Sequence, residues 1–265
     1  MLLKWAHAAE LMAMPFEPHA NLLQPDDLNA YVWRFIDLPK FIDLLVTGAL
    51  YFTRGDMFDD PHEGMPPDEY MDAVRHGATK LGSVQAQARM FHHYRADYFI
   101  SCWHLSPYES AGMWKLYGGV DAGIALKSTY NRLQHAFDDS SERFYLGLTS
   151  YDHAHVFGPT NQFKFSSYKR PAFGHEREVR AMIWRTSERG YVPVDDPDAP
   201  VSWPFPVRPG PLGLHLETSL DRLICEVVLS PTSPEWFVGT LRDVVAKFGY
   251  RFNIRRSTLN RLSYV

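Results

Sequence analysis

The stretch that decides the fold begins Leu223-Ile224-Cys225-Glu226-Val227-Val228-Leu229 and runs through Ser233-Pro234 to Gly249 and Arg251-Phe252-Asn253-Ile254-Arg255. The first run is apolar and β-branched, which predicts a strand over 223–229. Ser233 stands where a helix cap is wanted and Pro234 where a helix can start. Phe237, Leu241, Val244, Val245 and Phe248 recur at helical spacing, Gly249 supplies the stop, and 251–255 reads as a last strand. A strand, a helix and a strand of these lengths make a crossover unit in which parallel pairing is natural.

The same grammar opens the chain. Tyr31-Val32-Trp33-Arg34-Phe35 is aromatic and β-branched, hence a strand. Asp37 can cap a helix with Pro39 in its first turn, Phe41, Leu44 and Leu45 give its buried stripe, and Gly48 ends it. Ala49-Leu50-Tyr51-Phe52-Thr53 is the next strand, and the polar loop 54–64 follows. Residues 67–94 read as helical with a break near Gly77 or Gly82, and 110–117 as a short helix. Further strands are expected at 98–103, 123–126, 145–151 and 178–184. In the last of these Val179, Ala181 and Ile183 point one way, and Glu178, Arg180 and Met182 the other. Seven prolines crowd the segment between Thr186 and Gly213, at 193, 197, 200, 204, 206, 209 and 211, which excludes a helix or central strand. The expected architecture is α/β or α+β: one domain over 30–265 with a mixed central sheet flanked by helices. An N-terminal helical extension covers 1–29, and 186–212 is a proline-rich surface excursion.

Composition supports a packed core. Of the 265 residues, 45% are hydrophobic and 22% charged, which are ordinary globular values. A net charge of −4 argues against a general nucleic-acid coat or an anionic membrane surface, while leaving room for a local basic groove. Cys102 and Cys225 lie in apolar, β-rich runs, which suits reduced thiols and a cytoplasmic setting. No apolar run approaches the ~20 residues that span a bilayer. Met1 to Met14 carries Lys4, His7 and Glu10 and reads as an amphipathic helix.

The polar residues sort into a few groups, each with a functional and a structural reading. Arg34, set in an aromatic strand, needs an anion, a salt-bridge partner or water. Asp59, Asp60, His62 and Glu63 fall within five residues of a turn, where they can gather a hard cation or simply cap and order the loop. Their spacing is neither that of an EF-hand nor that of a zinc motif, and no metal is expected. His92-His93 and His153-Ala154-His155 lack a third ligand. Glu176-Arg177-Glu178 places two carboxylates where they can share acid–base or charge-stabilising work. The structural alternative pairs Glu178 with Arg180 across one face. Trp103, Trp114 and Tyr117 can stack on a planar ligand or belong to the core. GxGxxG, Walker A, GxSxG and CxxC patterns are absent.

Taken in order, Trp33-Arg34-Phe35, Gly48-Ala49-Leu50-Tyr51-Phe52, Phe58-Asp59-Asp60-Pro61-His62-Glu63, Ser101-Cys102-Trp103, Met113-Trp114-Lys115-Leu116-Tyr117, Lys169 through Glu176-Arg177-Glu178-Val179-Arg180 and the run 223–231 resemble domain-of-unknown-function family 2971, a bacterial and phage-associated group. The likeness spans about 30–260. Asp59 stands where that family has Asn, and His62 where it has an aromatic. A more distant resemblance is to ADP-ribosyltransferases, in which a basic residue on the first strand, a Ser, Thr or Tyr on a middle strand and a Glu on a late strand follow in order, as Arg34, Ser101 and Glu178 do here. That resemblance implies NAD as substrate, Arg34 on its pyrophosphate, Ser101 at the nicotinamide ribose, Trp103 or Tyr117 on the nicotinamide ring, and Glu178 with Glu176 as catalytic carboxylates. It implies a macromolecular target, protein or nucleic acid, in a toxin or phage-defence setting. The alternatives are a non-catalytic ligand- or partner-binding sensor module and a metal-assisted nuclease built on Asp59, Asp60 and Glu63. The transferase reading requires Arg34 and Glu178 to face one cleft and fails if the sheet separates them.

Overall fold

In a computed structural model the chain is described over residues 16–77, 83–118, 122–156, 162–185, 196, 199 and 208–260. The expected amphipathic helix of the first fourteen residues, the Gly82 break and most of the proline-rich excursion lie outside them.

Nine strands among the described residues form a single sheet. These are β1 (Tyr31–Ile36), β2 (Ala49–Arg54), β3 (Tyr98–Leu105), β4 (Ile124–Thr129), β5 (Tyr145–Leu148), β6 (Glu178–Trp184), β7 (Gly213–Glu217), β8 (Glu226–Leu229) and β9 (Ile254–Arg256). The main path runs β5-β6-β3-β1-β4-β8-β9, with β2 joined to β3 and carrying β7 on its outer side. Every pairing is antiparallel except β8 with β9, so the sheet is mixed, as expected. The parallel pair is the one the crossover unit requires, closed by helix α8 (Trp236–Lys247).

The N-terminal crossover forms as its residues dictate. Helix α1 (Leu38–Thr47) is capped by Asp37, whose carboxylate accepts from the Lys40 amide, and ends where Gly48 turns left-handed at φ +60°. Three expectations at the C-terminal end need correction. Leu223 closes helix α7 (Leu220–Leu223), and the strand starts only at Glu226. Helix α8 begins at Trp236 with Glu235 at its N-cap position, which makes no side-chain cap bond, while the Ser233 hydroxyl meets that of Ser230 at 3.2 Å. The last strand covers Ile254–Arg256. Residues 16–29 are not helical either. They lie along β5 through the bridges Phe16 to Phe144 and Leu23 to Leu148, with Leu22 buried. Gly147 permits that approach, since a Cβ there would sit 2.8 Å from Leu22 Cβ.

Alternation divides the sheet into two faces. Val32, Leu50, Phe52, Phe99, Trp103, Leu126, Val179, Ala181, Val227 and Leu229 point into the main core, which α1, α5 (Tyr130–His135), α7 and α8 cover. The opposite face carries two smaller apolar islands. Trp33, Phe35, Ala125 and Val228 meet Met113 and Trp114 of α4 (Ala111–Tyr117), while Tyr98, Ile100 and Met182 meet Leu22, Tyr145 and Phe163. Helices α2 (Asp68–Arg75) and α3 (Val84–Arg95) join α6 (Gln162–Ser166) in a separate cluster around Tyr70, Phe91 and Phe165. No helix among the described residues is long and apolar enough to cross a membrane. Cys102 and Cys225 are both free thiols.

Candidate functional site

Strand β3 is shared between two neighbours on one edge. Its C-terminal end pairs with β1 (Val32 with Leu105, Trp33 with His104) and its N-terminal end with β2 (Thr53 with Ile100, Arg54 with Phe99). Between them Ser101, Cys102 and Trp103 find register partners only in β6. The sheet is therefore split, with β1 and β2 diverging from the middle of β3. Arg34 closes the split. Its Nη1 donates to Ser101 Oγ at 2.8 Å and its Nη2 to the Tyr51 carbonyl at 3.0 Å, bridging β1, β3 and β2. Ser101 is itself held by the Trp103 indole N–H at 3.2 Å.

Both partners of Arg34 are neutral, and no carboxylate of the described residues lies within ion-pair distance of it. Burial pushes its guanidinium down to about 10, so it remains a cation at neutral pH. Desolvating a charge costs several kcal/mol, ~1.5–3 of which each hydrogen bond to it can return. The balance favours an anion that would complete the pairing.

A cavity of about 840 Å³ lies at the split, lined by residues of both apolar islands and, from the core face, by Pro39, Asp43 and Leu44 of α1. Trp33, Phe35, Tyr51, Phe58, Tyr117 and Phe173 give it aromatic walls, and Arg34 is among its lining residues. Arg34 leaves its strand on the core side, with Val32 and Ile36, and Glu178 leaves on the other, with Arg180. Both nevertheless line this one cavity, because its lining takes in Asp43 and Leu44 of α1 on the core face as well as Lys169 and Glu176 on the other, on either side of the split that the guanidinium bridges. The register runs Trp33, His104, Glu178 across three adjacent strands, so the carboxylate's strand stands ~10 Å from β1.

The far wall is a buried charge cluster of three carboxylates against two cations. Arg180, fully buried, gives Nη1 to Glu63 Oε1 at 2.5 Å and to the Ser166 carbonyl, and Nη2 and Nε to Glu178 Oε2 at 2.6 and 3.0 Å. Lys169 bonds Glu176 and stands 3.9 Å from Glu178. Tyr117 donates its hydroxyl to Glu176 Oε1 at 2.8 Å, and Tyr151 accepts from the Glu178 amide at 2.9 Å. Burial alone would raise the Glu178 carboxyl, but Arg180 and Lys169 outweigh it and hold Glu178 below the usual carboxylate range. Burial likewise opposes the charge of Lys169, yet Glu178 and Glu176 lift its ammonium above its ordinary value. Arg177, between the two glutamates, is the only described non-glycine residue with positive φ, at +40°. That turn brings both carboxylates to Lys169 while leaving Arg177 itself exposed.

The residues singled out from sequence are distributed as follows. Arg34, Glu176, Glu178, Trp103 and Tyr117 line the cavity, and Ser101 lies beneath it, holding Arg34. Trp103 is buried in the main core with its indole N–H engaged, whereas Tyr117 is half-exposed at the rim. Trp114 packs edge-on against Phe35. The acidic turn borders the cavity through Asp59, Asp60 and Glu63. It is ordered by the buried Arg95, which reaches the carbonyls of Pro61 and Gly55, and by Arg170 on Asp60 at 2.9 Å. Among the described residues no cluster of His, Cys, Asp and Glu could hold a metal ion. His153 and His155 lie in a short 3₁₀ turn rather than a strand, with His153 paired to Glu69. Sequence reasoning named Lys169 only as the start of the element that ends in Arg180, without a role, and missed His104 and Tyr151. A histidine near the end of an aromatic strand and a tyrosine just past another strand carry no local signal of a shared site.

No protein-family model matches the chain, and no curated protein matches it. Among solved structures, Thermus sp. 2.9 DarT in complex with ADP-ribosylated ssDNA is similar at 10% identity and a TM-score of 0.38, over 89% of this chain and 96% of that one. A likeness of that degree carries no argument about the chemistry of this chain.

Proposed function

We propose that the cavity binds NAD and that the protein transfers its ADP-ribose to a macromolecular acceptor, protein or nucleic acid. The observation that carries this reading is an uncompensated guanidinium, Arg34, lining the same cavity as Glu176 and Glu178. Arg34 would grip the pyrophosphate through charge-assisted bonds. The aromatic walls would take the planar rings. Glu178, kept ionised, would stabilise the positive charge that develops on the ribose as nicotinamide departs. Arg180 and Lys169 already engage the same carboxylate, which favours a second reading: the cavity binds its ligand as a sensor and turns nothing over.

Calorimetric titration with NAD, together with nicotinamide release, separates the two. Arg34→Ala is expected to weaken NAD binding, while Glu178→Gln binds NAD and loses about a hundredfold or more in rate. Wild-type binding without nicotinamide release favours the sensor. Failure of the wild-type protein to bind NAD at millimolar ligand overturns the NAD reading altogether.

A further inference from the structure

His104 lies on β3 between Trp33 of β1 and Glu178 of β6, all three in register on the face opposite the main core and all three lining the cavity. Its Nδ1 stands 2.6 Å from the Glu176 carbonyl oxygen. A carbonyl only accepts, so Nδ1 carries the proton and Nε2 holds a lone pair. Among the described residues Nε2 has no hydrogen-bond partner, and it is the nitrogen left for the cavity that His104 lines. The ring is fixed edge-on against Phe35 at a centroid separation of 6.3 Å. The same carbonyl belongs to a residue whose side chain is held by Lys169 and Tyr117, so the imidazole is oriented by the charge cluster itself.

Resting on the NAD reading above, we propose that His104 is the general base that takes the acceptor's proton through Nε2. The acceptor's oxygen or nitrogen forms a bond to the anomeric carbon of the NAD ribose. The bond from that carbon to the nicotinamide nitrogen breaks, its electron pair leaving with nicotinamide. The acceptor's proton passes to Nε2, giving an imidazolium that returns it to solvent.

The surroundings keep the base in its working form. Burial, the largest influence, lowers the His104 imidazole below its ordinary value. The hydrogen bond to Glu176 and the Glu176 charge push upward, while Arg177 and His175 push downward. Glu178 faces it across β6, Cys102 lies on its own strand, and Trp33 and Phe35 from β1 bring no charge. The ring is therefore neutral at pH 7.

The test uses the full chain with NAD and with water as the probe nucleophile. His104→Asn keeps an N–H for the Glu176 carbonyl and removes the base. NAD affinity by calorimetry is expected to stay within about twofold. Nicotinamide release is expected to fall about a hundredfold, the lower end of what general-base catalysis contributes. The wild-type rate falls on the acid side as His104 protonates, and that limb is absent in the variant. NAD binding with an unchanged rate and acid limb in His104→Asn overturns the role of His104 alone. No NAD binding in the wild type overturns the NAD reading and the role of His104 together, and binding without release overturns the transfer reaction and the role of His104 while leaving the sensor reading. Nitrogen-15 NMR of histidine-labelled wild-type protein bears on the base directly, with Nδ1 protonated and Nε2 bare expected at pH 7. A proton on Nε2 at that pH overturns the proposal even if the variant fails to fold.

Discussion

Replacing Arg180 with Met tests the charge cluster that carries the far wall of the cavity. The guanidinium is fully buried and supplies four short contacts: one to Glu63, one to the Ser166 carbonyl and two to Glu178 Oε2. Met fills most of the stem's volume, so the loss is electrostatic. Glu63, whose Oε2 has no partner among the described residues, and Glu178 are left as buried carboxylates. The nearest cation to Glu178 is then Lys169, at 3.9 Å. Removing one partner of a buried ion pair costs about 3–5 kcal/mol. At ~2–4 °C per kcal/mol for a chain of this size, about 4 kcal/mol lowers Tm by ~8–16 °C. The pH dependence follows from the shifts. In the wild type Glu178 is held below its unfolded value, so its contribution is complete above that value and is lost as pH falls through the folded one. Without Arg180, burial dominates and the folded carboxyl rises above the unfolded value. The variant is then penalised above the unfolded value, and the penalty fades once pH drops through the raised one. Urea denaturation followed by circular dichroism at pH 8 and pH 5 is expected to show the larger cost at pH 8. Adding Glu63→Leu is expected to recover part of the loss. A cost below about 1 kcal/mol, or one equal at both pH values, refutes the buried-pair account.

Two further perturbations probe how the frame is held. Gly147→Ala places a Cβ 2.8 Å from Leu22 Cβ and 3.2 Å from the Leu23 carbonyl, and overpacking of this kind costs about 1–3 kcal/mol. Its signature is faster amide exchange at Leu148, whose N–H bonds the Leu23 carbonyl, and unchanged exchange there removes the basis for the close approach. Asp37→Ala deletes the cap on the Lys40 amide and is expected to cost about 1 kcal/mol by denaturant unfolding, without altering ligand binding.

How much of this was legible in the chain depends on where the cause lies. Asp37, Pro39, Gly48 and the stripe Phe41, Leu44, Leu45 fix α1 because caps, turns and 3.6-residue periodicity act over a few residues, and local chemistry is written locally. The alternation of Val179, Ala181 and Ile183 against Glu178, Arg180 and Met182 is equally local, and the sheet divides them between its faces as the pattern requires. The parallel β8–β9 pair follows from the crossover helix between them.

Other features were decided only by distant partners. Strand β7 is a five-residue segment following a proline-rich stretch, and it becomes a strand because β2 offers it an edge. Residues 16–29 bridge to β5 at Leu23 and to its flank at Phe16 because a glycine 124 residues beyond Leu23 leaves room for them. The strand expected from Leu223 starts three residues late, since Leu220 and Leu223 are drawn into the main core as a helical turn. The site itself is of this second kind. Sequence singled out Arg34, Glu176, Glu178 and the acidic turn as chemically conspicuous, but not the split in the sheet. That β1 and β2 each take a different end of β3, leaving a gap that one guanidinium bridges, is a property of strand pairing across 67 residues of chain. Hydrogen-bond partners in a sheet are chosen by the whole fold, and a single residue's neighbours in sequence contain no trace of the choice.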